Sequence, residues 1–184
     1  MIKELRKKIE IGTVKKLGTL ENQVNMVYIG IGSNLGNKFE NIEKAKYLLV
    51  LNKINIIKTS RYYETLSWPD PYQPKFLNIV AQIKTSYTPK KLLEIFKLIE
   101  KKLGRKKTFK KNLPRKCDID IISYENQIHK GDIDIPHAKM HERNFVLIPL
   151  FELNKNWVHP KLKINIKNLI FSLSMKDINS IKQI

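Results

Sequence analysis

An α+β fold is predicted for this chain of 184 residues from three observations. Segments rich in β-branched residues and segments of helical periodicity follow one another as strand, helix, strand, strand, helix, strand. The apolar fraction of 42% and the charged fraction of 28% are ordinary for a globular protein. The length suits one domain with a core better than two domains. This βαββαβ order is typical of the ferredoxin-like fold, in which an antiparallel sheet carries its helices packed on one face.

The first strand begins after a stretch that has no packing pattern of its own. We interpret residues 1–25 as an amino-terminal extension or linker, and residues 26–184 as the domain. A β-rich run over 27–31 predicts the first strand, which ends in the sequence GSNLGN. This turn is interpreted either as a structural strand-to-helix connection or as a cradle for phosphate at the start of a helix.

The next predicted elements are a helix and two strands. A helix over 38–51 has Asn37 available as its cap. Residues 54–65 and 75–86 alternate in the manner of strands, and the turn formers of WPDPYQP lie between them. The apolar residues at helical spacing in the helix are Phe39, Ile42, Ala45 and Leu49.

The clearest helical pattern covers residues 88–105. Thr88 can cap this helix, Pro89 suits its first turn and Gly104 can end it. Its predicted inner stripe consists of Leu92, Ile95, Phe96 and Ile99. The strand CDIDIISY follows a basic segment without periodicity.

Carboxy-terminal additions are predicted beyond the βαββαβ unit. Residues 125–136 can form a short hairpin, and residues 142–153 form an apolar helical or irregular segment that Pro149 interrupts. The sequence NIKNLIFSLS predicts a last helix.

The formal net charge of +18 would suit a protein that binds nucleic acid. We discount that interpretation because lysine, isoleucine and asparagine dominate the whole chain, so lysine is its default surface residue. Only five of the 35 basic residues are arginine, and three of these lie between residues 105 and 143. A guanidinium binds an anion through a planar fork, which an ammonium cannot do, so the grouped arginines are the more informative cations.

Cysteine content and hydropathy indicate the compartment. The single cysteine, Cys117, cannot form an internal disulfide. No apolar stretch approaches the roughly 20 residues that a membrane span needs. We therefore expect a cytoplasmic protein with neither a membrane nor a nucleic-acid partner.

Two carboxylates lie one residue apart in the sequence LPRKCDIDII, at Asp118 and Asp120. Because alternate side chains of a strand share a face, both project from one side while Ile119 and Ile121 enter the core. Their Cα atoms would lie roughly 6 to 7 Å apart at a rise of about 3.3 Å per residue, and two carboxylates that close repel unless a cation lies between them. The alternative is a half-buried strand with a solvated acidic face.

Basic residues flank this acidic pair. Arg115 precedes it by three positions, and four lysines lie upstream, at positions 106, 107, 110 and 111. Carboxylate oxygens suit Mg²⁺, which keeps waters and accepts phosphate oxygens as further ligands, and two such ions can clamp the oxygens of a phosphoryl displacement. The pattern therefore predicts that the aspartates hold metal and that the cations hold a triphosphate.

Asn78 is unusual for its position inside a predicted strand. A buried amide must find partners, and its donor pair and acceptor match the edge of a lactam-like heterocycle. Phe76 shares its strand face and offers a flat apolar wall. The alternative is an asparagine near a strand end beside a core phenylalanine.

Together these segments resemble the 6-hydroxymethyl-7,8-dihydropterin pyrophosphokinase family of folate biosynthesis, which transfers a pyrophosphoryl group from ATP and releases AMP. The resemblance runs from about Val27 to Pro160. Its motifs, in family order, are YIGIGSNLGN, FLN, IEKKLGR, PRKCDIDII, IPHAKMHERNFVLIPL and HP. It implies the ferredoxin-like fold, ATP and the hydroxymethyl pterin as partners, and a neighbouring folate-pathway domain as a further candidate partner.

The resemblance also implies a role for each site residue. Two Mg²⁺ ions would be held by Asp118 and Asp120. The pterin would contact Thr65, Leu66, Phe76, Asn78 and Phe145. ATP would contact Glu100, Arg105, Lys107, Arg115, Ile121, His137 and Arg143. The residues implied in catalysis are Arg105, Lys107, Arg115, Asp118 and Asp120, and residues 105–115 would form a mobile lid.

The chain departs from the family pattern within this implied lid. Asn112 and Leu113 stand where many members carry a Trp-Gly pair, and Lys107 and Lys111 stand where arginines are frequent. Ala138 occupies a position where tyrosine is common. We expect these differences to affect lid closure and turnover rate, and not the type of reaction.

Two other functions remain open from the residues alone. A nucleotidyltransferase with a Gly-Ser turn and a DxD pair places the two close together, whereas Ser33 and Asp118 lie 85 positions apart here. A ferredoxin-like RNA-binding module should carry an aromatic pattern on a central strand. The corresponding strand here is CDIDII, whose acids would repel RNA.

Overall fold

A six-stranded antiparallel sheet forms the centre of the computed structural model, which describes residues 24–68, 70–105 and 113–184. The elements in chain order are β1 (Asn25–Ser33), α1 (Lys38–Leu51), β2 (Asn55–Thr59), β3 (Tyr63–Thr65), β4 (Phe76–Thr85), α2 (Pro89–Lys102), β5 (Asp118–Tyr124), α3 (Asn144–Leu153), α4 (Ile166–Phe171), α5 (Met175–Asn179) and β6 (Lys182–Gln183). The strand order is β5-β1-β4-β3-β6, and β2 also pairs with β4. The predicted α+β fold with an antiparallel sheet is confirmed, and the order of its elements departs from βαββαβ only in that three strands, and not two, lie between the long helices.

Both predicted long helices are confirmed, with their caps. The Oδ1 atom of Asn37 accepts a hydrogen bond from the backbone N–H of Glu40 at 3.1 Å, and Thr88 caps α2 through the N–H of Lys91 at 3.3 Å. Gly104 follows α2 with a φ of +97°, a conformation that favours glycine. Of the four apolar residues at helical spacing in α1, Ile42, Ala45 and Leu49 are buried, whereas Phe39 is 55% exposed and its ring centroid lies 4.9 Å from that of Tyr62.

The predicted strand over 54–65 is two strands and not one. Ser60 lies between β2 and β3, and its hydroxyl oxygen accepts a hydrogen bond from the N–H of Val80 at 3.0 Å. The backbone N–H of Ser60 donates to the carbonyl of Val80 at 2.8 Å, so one of the two bonds of this pair is made by the side chain, and the regular pairing with β4 is interrupted here. A register shift between Ile56 and Lys58 adds to this break.

Separate apolar clusters cover the two faces of the sheet. The first joins the buried sides of α1 and α2 to strand residues such as Ile31 and Ile119. The second packs α3 and α4 against residues of the opposite face, among them Val80 and Ile122. The first face thus carries the helices of the βαββαβ unit, while the carboxy-terminal additions cover part of the second and leave room for a pocket beside them.

The carboxy-terminal additions contain more elements than predicted. The short hairpin is present as a single antiparallel bridge between His129 and Ile135, and Pro149 lies within α3. The elements α5 and β6 were not predicted, because each is too short to show a period. No helix within the described ranges is long and apolar enough to cross a membrane.

Candidate active site

A pocket lies on the second face of the sheet, beside the start of α3. Strands β1, β4 and β5 form its floor, and the loop after β3 and the segment before α3 form its walls. The carboxylates of this floor lie on β5 and neutral side chains lie on β4, and Arg115 reaches from one to the other, with its Cζ atom 5.3 Å from the ring centroid of Phe76. The pocket therefore has an acid and cation side, on β5, and a heterocycle side, on β3, β4 and α3.

The two sides meet at Gly32 of β1. In the sheet register Gly32 lies opposite Asn78 of β4 and opposite Asp118 of β5, and Gly30 lies opposite Asp120. A Cβ atom on Gly32 would lie 2.9 Å from Oδ1 of Asn78 and 3.4 Å from the ring of Phe76. The central strand therefore has no room for a side chain at this point. Sequence reasoning missed this requirement, although the Gly-x-Gly spacing in β1 was its signal.

Asp118 is held by two guanidinium groups. Nη2 of Arg115 and Nη1 of Arg105 each lie 2.6 Å from one of its carboxylate oxygens. Burial would raise the pKa of Asp118, but Arg115 and Arg105 together outweigh burial and hold this pKa below its usual value. Asp118 is thus an anion in the folded chain.

Asp120 shares the pocket face with Asp118, as the alternation predicted. Burial and the neighbouring charge of Asp118 raise the pKa of Asp120 above its usual value. Ile119 and Ile121 point into the first cluster, also as predicted. Asp118, which is ionised, therefore lies beside Asp120, whose ionised form needs a nearby cation.

Glu100 lies behind the acidic pair and does not line the pocket. Its side chain is 1% exposed, and Oε1 accepts a hydrogen bond from the N–H of Ile119 at 2.9 Å. Its Oε2 lies 2.7 Å from Nη1 of Arg105. Burial raises the pKa of Glu100, against the opposing effects of that N–H and of Lys97. Glu100 therefore contacts Arg105, the strand that carries Asp118, and Lys97 of its own helix, whose Nζ lies 3.1 Å from Oε2.

His137 and Arg143 line the pocket opposite the acids. Nε2 of His137 lies 3.4 Å from Nη1 of Arg143. Burial and the charge of Arg143 lower the pKa of His137, so the imidazole is neutral at neutral pH. A second cavity adjoins this one and shares Asp120 and His137 with it, and Ile121 borders that second cavity.

Two guanidinium nitrogens near the pocket have unused hydrogen-bonding capacity. Nε of Arg115 and Nε of Arg143 are buried and have no hydrogen-bond partner among the described residues. Buried donors normally find partners, so these two are available to an anionic ligand. Lys107 and most of the predicted lid lie outside the described residues.

The heterocycle side is built from neutral groups. Nδ2 of Asn78 donates to Oγ1 of Thr65 at 2.9 Å, and both side chains are buried. Phe76 and Phe145 line the same pocket, and Leu66 lies beside Thr65. The five residues that the resemblance implied for a pterin are therefore together on one side.

Sequence reasoning missed two further residues of the site. Trp68 lines the pocket, and its aromatic character in a loop was the available signal. The backbone N–H of Asn34 donates to the carbonyl of Arg115 at 3.1 Å, and Oδ1 of Asn34 accepts from the N–H of Arg115 at 2.7 Å. Nδ2 of Asn34 also donates to the carbonyl of Pro74 at 3.1 Å. The turn after β1 is thus hydrogen-bonded to two loops of the site. This agrees with the interpretation of GSNLGN as a structural connection.

Similarity to known proteins agrees with this geometry. The family model of 7,8-dihydro-6-hydroxymethylpterin-pyrophosphokinase (HPPK) matches residues 28–155. The 2-amino-4-hydroxy-6-hydroxymethyldihydropteridine pyrophosphokinase of Aquifex aeolicus is 39% identical over 135 residues, which are 73% of this chain and 83% of that protein.

Longer proteins also match. The Folic acid synthesis protein fol1 of Pneumocystis carinii is 36% identical over 169 residues, which are 91% of this chain and 22% of that protein. The chain thus spans about a fifth of the length of such relatives. The crystal structure of Plasmodium falciparum HPPK-DHPS A437G with pteroate superposes with a TM-score of 0.68 at 15% identity, over 89% of this chain and 47% of that one, which shows the shared fold.

The family match covers the three strands of the pocket floor, and a relative of similar length exceeds a third in identity. This chain therefore belongs to the 7,8-dihydro-6-hydroxymethylpterin-pyrophosphokinase family.

Proposed function

We propose that this chain transfers the pyrophosphoryl group of ATP to 6-hydroxymethyl-7,8-dihydropterin and releases AMP. One observation carries the proposal: Gly32 places the amide of Asn78 and the carboxylate of Asp118 on opposite flanks of a single pocket floor. A flat heterocycle on one flank then lies next to a polyphosphate on the other. Membership of a pyrophosphokinase family supports the same reaction.

The heterocycle side would hold the pterin. Asn78 already donates one N–H to Thr65, so its second N–H and its carbonyl oxygen are left for the polar edge of the ring. Phe76 and Phe145 would enclose the two faces of the ring, and Leu66 with the Thr65 backbone would meet its edge. Uncharged, buried partners suit an uncharged heterocycle, because no unpaired charge has to be desolvated.

The acidic pair fits magnesium. Asp118 and Asp120 present oxygen ligands from one strand face, and no group of three or more His, Cys, Asp or Glu side chains among the described residues could form a complete metal cage. Mg²⁺ suits such a site, because it is bound through one or two carboxylates and completed by water and phosphate oxygens. When bound, two Mg²⁺ ions would neutralise the triphosphate and orient its β-phosphorus.

The cations would hold the remaining charge of the nucleotide. Arg115 and Arg143 each have a buried Nε donor. Arg105 is ion-paired with Asp118, which lines the same pocket. We assign phosphate contacts to these three arginines, and to His137 and Lys107 as the resemblance implies. Adenine would lie in the second cavity against Ile121. Glu100 would contribute by positioning Arg105.

In the reaction the hydroxymethyl oxygen of the pterin attacks the β-phosphorus of ATP. A bond from that oxygen to the β-phosphorus forms, the bond from the β-phosphorus to the bridging oxygen of the α-phosphate breaks and leaves its electron pair on AMP, and the hydroxyl proton is released to water. The residues of the chain act mainly by holding the two substrates in line and by stabilising the negative charge that moves to AMP.

We further propose the setting of this activity. Residues 26–184 would form the catalytic domain and residues 1–25 an extension, a boundary that lies within one residue of the start of β1 at Asn25. The single buried cysteine, Cys117, whose thiol pKa burial raises to about 12, suits a reducing cytoplasm. Similarity to a fused HPPK-DHPS protein supports a neighbouring folate-pathway domain as a partner.

The decisive test is the nucleotide product. The protein is incubated with Mg-ATP and 6-hydroxymethyl-7,8-dihydropterin, and the products are separated by ion-exchange chromatography. We expect AMP and pterin diphosphate in equal amounts, and no AMP when either the pterin or Mg²⁺ is omitted. Formation of ADP in place of AMP, or of AMP without the pterin, would contradict the proposal.

A further inference from the structure

The second cavity lies beside β5, the strand at one end of the sheet. Its apolar lining consists of Leu93 of α2, Ile121 of β5, and Ile133 and Ala138 of the segment that follows β5. Aliphatic walls of this kind can enclose a flat base by shape, but they cannot distinguish an amino group from a carbonyl oxygen. Discrimination between one purine and another therefore requires a polar group of the cavity.

Among the described residues, Asp134 is the polar side chain that lines this cavity and not the first pocket. The other two polar residues, Asp120 and His137, line both cavities, and the proposed function assigns them to metal and phosphate. Asp134 directly follows Ile133, which packs against the first apolar cluster. The carboxylate of Asp134 is therefore placed with the apolar lining, where the base would lie.

Asp134 has neither an ion pair nor a hydrogen bond through its side chain within the part of the chain that the structure describes. The residue is exposed. A carboxylate near a bound polyphosphate repels it, so an unpaired Asp134 would weaken the binding of any nucleotide. A hydrogen bond from the nucleotide to this carboxylate would offset the repulsion, because hydrogen bonds to ionised groups are the stronger ones.

An ionised carboxylate only accepts hydrogen bonds. Adenine has an amino group at position 6, which donates, whereas guanine has at this position a carbonyl oxygen, which accepts. Hypoxanthine, the base of ITP, has the same carbonyl oxygen. A carboxylate next to position 6 therefore attracts adenine and repels a 6-oxopurine.

We propose that Asp134 is a specificity-determining residue that accepts a hydrogen bond from the 6-amino group of adenine and so selects ATP over 6-oxopurine nucleotides. This inference rests on the proposed function, which places the base in the second cavity. It adds a side chain that recognises the base to the arginines that hold the phosphates.

The first experiment measures binding without turnover. Calorimetry in the presence of Mg²⁺ and the absence of pterin gives the Kd of ITP and of ATP, and we expect wild-type protein to bind ATP at least about tenfold more tightly. In D134N the ratio of the two values should fall by about 10- to 150-fold, the range for losing a hydrogen bond to a charged group, because an asparagine can also donate to the 6-oxo group. Equal affinity of wild type for ATP and ITP, or an unchanged ratio in D134N, overturns the proposal.

Asp132→Asn is the matched control. Asp132 is an exposed carboxylate two positions earlier, and it lines neither cavity. Loss of either negative charge should strengthen the binding of both nucleotides, but only D134N should change their ratio. A fall of the ratio in D132N equal to that in D134N would show a general effect of charge and overturns the proposal.

A third nucleotide separates the base from the sugar. In D134N the ratio of the Kd of 2′-deoxy-ATP to that of ATP should equal the wild-type ratio. If this ratio falls and the ratio of ITP to ATP does not, Asp134 binds the ribose and the proposal is wrong. Should D134N not fold, D134A is measured in its place, with the same expected fall in the ratio of ITP to ATP.

The second experiment measures turnover, and it separates the two proposals. The kcat/KM for AMP or IMP formation with saturating pterin should show the same ratios as the binding constants. If wild-type protein forms no AMP from ATP and the pterin, the proposed function fails. If it forms AMP but D134N keeps the wild-type preference for ATP over ITP, only the role of Asp134 fails.

Discussion

The heterocycle side and the acid and cation side of the pocket are stabilised by different forces. On the heterocycle side, the buried neutral groups Asn78 and Thr65 are joined by a single hydrogen bond, which leaves part of the hydrogen-bonding capacity of Asn78 unused. On the acid and cation side, Asp118 holds Arg105 and Arg115 at 2.6 Å each, and Glu100 holds Arg105 from behind. The first side is built by packing, and the second by the mutual neutralisation of charges.

This difference indicates how each side would take up its ligand. A neutral pocket with spare hydrogen-bonding capacity can accept a heterocycle without disturbing its existing bonds. The charged side must exchange partners, because an arginine that moves to a phosphate leaves a carboxylate that only another cation can neutralise. Binding of metal and of polyphosphate should therefore be strongly interdependent, and pterin binding should depend on local shape.

The largest effect is expected from removing a carboxylate. Replacing Asp118 or Asp120 by Ala should lower the rate of AMP formation by at least roughly 10²- to 10³-fold, the range for losing one electrostatic group of an active site. Circular dichroism should show an unchanged fold, because neither side chain belongs to the apolar clusters. The isosteric variants D118N and D120N serve as controls for shape. Turnover at the wild-type rate in both alanine variants would show that the acid and cation side does not contribute to the reaction through these carboxylates.

Asn78→Ala should affect one substrate only. Loss of the amide should weaken pterin binding by about 1 to 3 kcal/mol, while ATP binding changes little. Isothermal titration with each substrate separately measures both values. Equal losses for ATP and pterin would mean that Asn78 does not belong to the heterocycle side alone.

Gly32→Ala tests the point where the two sides meet. Its Cβ would lie 2.9 Å from Oδ1 of Asn78, so the amide must move, and such overpacking typically costs about 1 to 3 kcal/mol. We expect weaker pterin binding and a lower melting temperature. Gly30→Ala is the matched control, because its Cβ would meet only Ile122, at 3.5 Å. If both variants bind pterin equally well, close approach at Gly32 is not what shapes the pocket.

The smallest effect is expected from Asn144, which lies next to Phe145. Its Nδ2 donates to the carbonyl of Asp177 at 2.5 Å and to Oγ of Ser180 at 3.0 Å. The same carboxy-terminal segment pairs with β3, the strand that carries Thr65. Asn144→Ala should therefore loosen the heterocycle side and raise the KM for pterin by about five- to tenfold, from the loss of about 1 kcal/mol or slightly more.

Asn154→Ala provides the matched control at the other end of α3. Its Nδ2 donates to the hydroxyl of Tyr28 at 3.2 Å, away from the residues that line the pocket. Steady-state kinetics with each substrate varied in turn should show a change in the pterin KM for N144A alone. Equal changes in the two variants would indicate a general loss of stability.

Much of the fold could be predicted from local patterns in the chain. The bounds of α1 and the caps of both long helices follow from the spacing of apolar residues and from Asn37 and Thr88. The break between β2 and β3 could not be predicted, because it depends on a hydrogen bond from Val80 to the side chain of Ser60, far along the chain. The short strand β6 could not be predicted either, because it forms by pairing with the edge of β3, more than 100 positions earlier in the chain.

The same division holds for the site. Sequence alone determined that Asp118 and Asp120 share a strand face, that Phe76 and Asn78 share another, and that the chain has the family motifs, since these follow from residue order and the two-residue period of a strand. Only the tertiary structure decided that these two pairs lie on the same face of the sheet on either side of Gly32, that Glu100 lies behind the acids, and that Trp68 lines the pocket. These arrangements depend on strand register and on contacts between distant segments, which are set by packing of the whole chain and not by any local pattern.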